Sequence, residues 1–138
     1  GKLIDGQRVA ANITISAHAN RVAVMDGHTI ALSVKLRHKA SPSDASMSLS
    51  DFRGSSLVQG LPSAPAQPII VRSEQNRPQP RRDRDSGAGM SVSVGRIRPC
   101  KILDLRMLTV VHNTVRGAAG GSILNAELLC AMGYLESV

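Results

Sequence analysis

From Val9 the hydrophobic pattern has period two. Val9, Ala11, Ile13, Ile15, Ala17 and Ala19 fall on odd positions, with Ala10, Asn12, Thr14, Ser16, His18 and Asn20 between them. Successive strand side chains point to opposite faces, so this alternation predicts a strand with one buried face. The phase slips at Arg21, after which Val22 and Val24 carry the apolar character. Such a flip predicts a bulge or a strand end near Asn20–Arg21, a place where side chains are re-aimed. Asp26-Gly27 suits a tight turn with positive φ. A second alternating run then sets Ile30, Leu32, Val34 and Leu36 on one face.

Ser41-Pro42-Ser43-Asp44 predicts a helix start, with Ser41 as cap, Pro42 at the first position and Asp44 at the third. Ala45, Leu49 and Phe52 share a face, and Gly54 can end the helix. Pro62, Pro65 and Pro68 mark a loop, and Ile69-Ile70-Val71 a short strand. Residues 73–90 are polar and without period, hence either functional or mobile. Residues 91–98 and 102–111 predict two further strands, and 118–132 a closing helix. The expected class is α/β in the α+β sense: a mixed, largely antiparallel sheet covered by helices on one side. Its main body spans 1–111, and 112–138 form a C-terminal helical segment. The apolar positions of that helix, from Ala118 to Met132, wrap much of its circumference, so it requires partners on more than one side. That feature, and a start at Gly1-Lys2, predict a piece of a larger protein.

Composition narrows the function. With 138 residues and 42% apolar positions, the chain is one domain, or part of one, with enough apolar residues for a core. One Tyr, one Phe and no Trp oppose a platform for stacked bases. The apolar runs are far shorter than the roughly 20 residues of a membrane span, and no basic-then-apolar leader opens the chain. Cys100 and Cys130 therefore read as reduced thiols of a soluble, cytoplasmic protein. The net charge of +7 divides into +3 for residues 1–60 (seven basic, four acidic), +4 for 61–100 (seven Arg, three acidic) and zero for 101–138 (three of each). The excess lies partly in an Arg-rich stretch, Arg72 to Arg98, that also holds Asp83 and Asp85. Its Arg72–Arg84 part could recognise phosphate, pair with acids across a subunit interface, or be solvated or structural.

Two segments carry a resemblance. Residues 16–28, Ser-Ala-His-Ala-Asn-Arg-Val-Ala-Val-Met-Asp-Gly-His, are similar to the Arg-Val-x-Val-x-Asp-Gly-His motif of the aspartate-semialdehyde dehydrogenases. Residues 112–126, His-Asn-Thr-Val-Arg-Gly-Ala-Ala-Gly-Gly-Ser-Ile-Leu-Asn-Ala, resemble the segment by which those enzymes re-enter their cofactor domain. Arg-Pro-Gln-Pro-Arg at 77–81 is also similar, particularly to the archaeal and fungal branch. The resemblance implies a cytoplasmic enzyme of amino-acid biosynthesis (lysine, threonine, methionine) that reduces β-aspartyl phosphate with NADPH through a cysteine thioester. That cysteine and the glycine-rich nucleotide loop belong to a domain not represented here. Neither Cys100 nor Cys130 has the family's setting. The implied unit is the family's dimerization and substrate-binding domain, a homodimer inactive on its own. Its expected partners are the missing N-terminal cofactor domain and a small-molecule substrate; no metal, nucleic acid or membrane is expected.

Residue by residue, Arg21 matches the family's substrate-binding arginine, and a planar guanidinium gives a carboxylate two parallel hydrogen bonds. His28 matches the acid/base histidine; free imidazole titrates near ~6.5 and can take and return a proton. Asn113 is expected at the nicotinamide end of NADP. Thr114 beside it is either a cofactor contact or part of close helix–sheet packing. In a regular two-residue hairpin over Asp26-Gly27, position 21 pairs with 32 and 25 with 28. That would leave Arg21 and His28 on one face but roughly 13 Å apart, so a departure from the ideal hairpin is expected. Ala19, Ala23 and Cys100 stand where the family commonly has Cys, Pro and an acid. Competing with this assignment are a basic nucleic-acid-binding module, a structural domain that has lost activity, and a related acyl-phosphate reductase domain.

Overall fold

The computed structural model describes residues 2–11, 13–20 and 22–135. Two short strands, β1 (Lys2–Ile4) and β2 (Gln7–Val9), pair as an antiparallel hairpin. A five-stranded sheet follows, built from β3 (Thr14–Asn20), β4 (His28–Lys35), β5 (Ile69–Arg72), β6 (Val92–Pro99) and β7 (Leu105–Val111). Its order is β3-β4-β7-β6-β5; β5 and β6 are parallel and the other neighbours antiparallel. Helix α1 (Pro42–Asp51) lies near β5 and β6, and the single turn α2 (Pro80–Asp83) near β7. A π-helical turn over Val115–Ala119 leads into α3 (Gly120–Ala131). This is the mixed, largely antiparallel sheet with helices that the sequence predicts.

Local chemistry sets several of these elements as expected. The start of α1 is a capping box: the Asp44 N–H donates to Ser41 Oγ at 3.1 Å, and the Ser41 N–H donates to the Asp44 carboxylate at 3.0 Å. Three expectations need correction. The run from Val9 is not one strand, because β2 ends at Val9 and β3 begins at Thr14. β7 begins at Leu105 rather than residue 102, since Ile102 projects from the turn with 90% of its surface exposed. The apolar face of β3 is not buried within this chain. The register sets Ile15, Ala17 and Ala19 opposite Val34, Leu32 and Ile30, which in turn lie opposite Leu105, Met107 and Thr109. Exposure along that face runs from 58% at the edge, Ile15, to 2% in the middle, Leu105. The alternation is real, but what covers an edge strand is not encoded in its period. Among the described residues the buried apolar core is small: Met90, Val94, Leu105, Val110 and Leu124.

The polar segment 73–90 is ordered around a single side chain. Asp83 is fully buried. Its carboxylate accepts from Arg77 Nε at 2.8 Å and from the Gln79 N–H, and Arg72 Nε lies 2.8 Å away. Arg72 in turn donates to Ser86 Oγ at 3.2 Å. The Arg72–Arg84 cluster is therefore, in this half, structural. Burial alone would push the Asp83 carboxyl up, but hydrogen bonds from Arg77 and the Gln79 N–H, with the charge of Arg72, hold it below the usual carboxylate range. The segment lies hard against the sheet at Gly95, where a β-carbon would stand 2.7 Å from the Arg77 carbonyl oxygen and 2.9 Å from Pro78 Cδ. No other residue fits there.

Asp83→Ala should destabilise the protein by about 3–5 kcal/mol, the cost of leaving half-buried cations without their anion. A carboxyl whose folded pKa is lowered contributes stability that is fully present above its unfolded value of ~4 and is lost as pH falls through the lower folded value. Urea unfolding at pH 7 and at pH 3 should therefore show a smaller difference between wild type and D83A at the lower pH. Equal differences at both pH values would refute the ion-pair account.

Candidate active site at the end of strands β4 and β7

His28 is the first residue of β4 and pairs with Val111, the last of β7. The segment after β7 thus begins beside the Asp26-Gly27 turn. Asn113 closes the gap: its Oδ1 accepts the Gly27 N–H at 2.8 Å. On the other side of the turn stands the 80–84 segment. Gly27 has φ +105°, and a β-carbon on it would lie 3.4 Å from Pro80 Cβ and 3.5 Å from Arg84 Cβ. Three distant stretches, 26–28, 80–85 and 112–115, therefore meet at one end of the sheet.

Charged groups line this junction. Arg84 Nη1 lies 3.9 Å from the Asp26 carboxylate, and its Nε donates to Asp85 at 3.4 Å. His112 is buried, with Nε2 3.7 Å from the Asp85 carboxylate. Its Nδ1 accepts the Val115 N–H at 3.3 Å and lies 3.2 Å from Thr114 Oγ1. That acceptor role gives His112 a helix-entry function, and it engages the Thr114 hydroxyl locally.

Of the residues singled out from sequence, His28 is exposed at the turn and Asn113 is brought against it. Arg21 lies outside the described residues. Its chain neighbour Asn20 pairs with Thr29, the chain neighbour of His28. The ideal hairpin, with 21 opposite 32, is thus not formed, and the connection from β3 to β4 spans seven residues, 21–27. Cys100 sits in the turn before β7, at the opposite end of that strand from His28, and Cys130 is exposed on α3. Arg84, Asp85 and His112 were not assigned from the sequence. His112 opens the matched 112–126 segment and Arg84 ends the Arg-rich one, but neither carries a spacing signal for this contact.

The sequence pattern described as "Semialdehyde dehydrogenase, dimerisation domain" matches residues 2–116. The chain belongs to this family. The dimerisation domain is 48% identical over 131 residues to an aspartate-semialdehyde dehydrogenase of Methanothermobacter thermautotrophicus, covering 94% of this chain and 38% of that enzyme. It superimposes on the crystal structure of the Candida albicans aspartate-semialdehyde dehydrogenase with NADP at a TM-score of 0.74 and 44% identity, covering 83% of this chain and 33% of that one. It is also 40% identical over 126 residues to a malonyl-CoA reductase (NADP) of Metallosphaera sedula, over 90% of this chain and 35% of that protein. The chain spans little more than a third of the curated relatives it matches.

Gly27→Ala in the dimerisation domain should lower the free energy of unfolding by about 1–3 kcal/mol, because a β-carbon is strained at positive φ. Denaturant unfolding measures this directly. Unchanged stability would mean that the turn does not hold this conformation in solution.

Proposed function

We propose that this dimerisation domain supplies the substrate-binding and acid/base half of an NADP-dependent aspartate-semialdehyde dehydrogenase that reduces β-aspartyl phosphate to the semialdehyde. The observation that carries the proposal is the 2.8 Å hydrogen bond from the Gly27 N–H to Asn113 Oδ1. It joins the two sequence segments that resemble the family's substrate and cofactor motifs, and sets His28 beside both. The archaeal and fungal relatives lend the reaction its name, and the solved Candida albicans enzyme holds NADP.

In this proposal Arg21 binds the substrate carboxylate through paired N–H groups. His28, exposed at the strand end, takes the proton of the attacking thiol, which a separate domain provides, and returns a proton at the oxyanion stage. NADPH, when bound, supplies the hydride. Asn113 fits its amide end: no described group takes the hydrogens of its NH2, which remain available to a carbonyl. Thr114, whose hydroxyl already meets His112, is the lesser contact. The domain by itself is inactive.

Self-association has its own support. The face running from Ile15 through Val34 to Leu105 is apolar and open at the β3 edge, which suits a second copy. The alternative of a nucleic-acid module is weakened by the Arg72–Arg77–Asp83 network, which removes two cations from any polyanion footprint. A related acyl-group reductase stays in play through the malonyl-CoA reductase relative.

In the complete enzyme, assayed as NADP reduction with semialdehyde and phosphate, Arg21→Ala should raise KM for the semialdehyde at least about tenfold. His28→Ala should mainly lower kcat, by about 10²–10⁴-fold. Unchanged kinetics in either variant would remove that residue from the site. Turnover with an acyl-CoA but not with the semialdehyde would favour the other reductase. Light scattering of the domain should give a concentration-independent dimer mass. A monomer would refute the sheet-face interface.

A further inference from the structure

The Asp26–Gly27–His28 turn is held from two sides, and the two sides differ. Pro80 and Arg84 flank one, where a β-carbon on Gly27 would just meet them at 3.4 and 3.5 Å, and Arg84 also lies 3.9 Å from the Asp26 carboxylate. On the other side, just before the β4–β7 ladder begins at His28–Val111, the Gly27 N–H donates to Asn113 Oδ1 at 2.8 Å, the side-chain hydrogen bond to this turn among the described residues. Because a peptide N–H can only donate, the carboxamide must present its oxygen there, and its NH2 points elsewhere. Gly27 is the most conformationally free residue of the turn and directly precedes His28. An external bond at its N–H therefore has direct leverage on the backbone that aims the imidazole.

We propose that Asn113 is a positioning residue for His28: its carboxamide oxygen sets the acid/base turn while its NH2 faces the cofactor, so one side chain couples the two. The inference rests on the acid/base role proposed for His28. It goes beyond a cofactor contact, because the two ends of the carboxamide act separately and can be separated by substitution. Without Asn113 the backbone at Gly27, held at positive φ, loses its side-chain anchor. A shift of about 1 Å at a reacting group is enough to cost on the order of 10²-fold in rate.

The test compares Asn113→Leu, which removes both ends, with Asn113→Asp, which keeps an acceptor for Gly27 and loses the NH2. Both are made in the complete enzyme and read as kcat, KM for NADP and the pH profile of kcat, with the Kd for NADP measured beside them by equilibrium titration without substrate. Asn113→Leu should lower kcat about 10–100-fold. Asn113→Asp should recover most of that loss while raising KM for NADP. Its carboxylate also favours imidazolium, so the His-dependent limb of the profile should move to higher pH. If the two variants are equally impaired, only in KM for NADP and with the wild-type pH profile, the positioning role is overturned. If His28→Ala itself leaves kcat and its profile unchanged, the acid/base assignment fails. If His28→Ala abolishes turnover while Asn113→Leu does not lower kcat, this inference alone fails. Should Asn113→Leu not fold, Asn113→Ser, too short to reach the Gly27 N–H, is read against the same outcomes.

Discussion

A single buried carboxylate organises this domain. Asp83 has no contact with water, and an ion in that position is tolerable only with its charge and lone pairs matched. Arg77, Arg72 and the Gln79 N–H supply that match. The consequence reaches past the ion cluster. Fixing Asp83 fixes the Pro80–Asp83 turn, the turn places Pro80 and Arg84, and these two close one side of Gly27. The histidine at the start of β4 is thus supported, two contacts away, by the ion network around Asp83.

The sheet separates two tasks by the parity of its strands. One face, from Ile15 through Val34 to Leu105, is apolar and grades from open to closed. The other carries Ser16, Ser33, Arg106 and Arg98 in a row and takes the 73–83 segment at Gly95. The 73–83 segment therefore packs on the face opposite the apolar one.

What the sequence disclosed depended on how far each signal reached. Helix α1 was legible because Ser41 and Asp44 cap it across three positions. The strands β4 to β6 were legible from their apolar runs and the turn residues between them. Segment 73–90 was not, because its order comes from a carboxylate meeting arginines 6 and 11 positions away, and no periodicity registers such a pairing. The alternation of β3 gave its two faces correctly, but not whether either was covered. At the site, the resemblance pointed to His28 and Asn113 separately. Nothing local showed that they meet, because only the pairing of β4 with β7 brings the two segments together.

That link has a consequence for how the molecule assembles. Gly27 and Asn113 are 86 positions apart in sequence, and the register that brings them together needs β4 and β7 paired along their full length. Loop closure of that span is costly, and contacts of high sequence separation form slowly. The hairpin β3–β4 and the ion-paired 72–83 segment can both form from near neighbours; the junction of β4 with the segment beyond β7 cannot. This end of the sheet is therefore completed late, and a partly folded chain holds His28 on an unfastened turn.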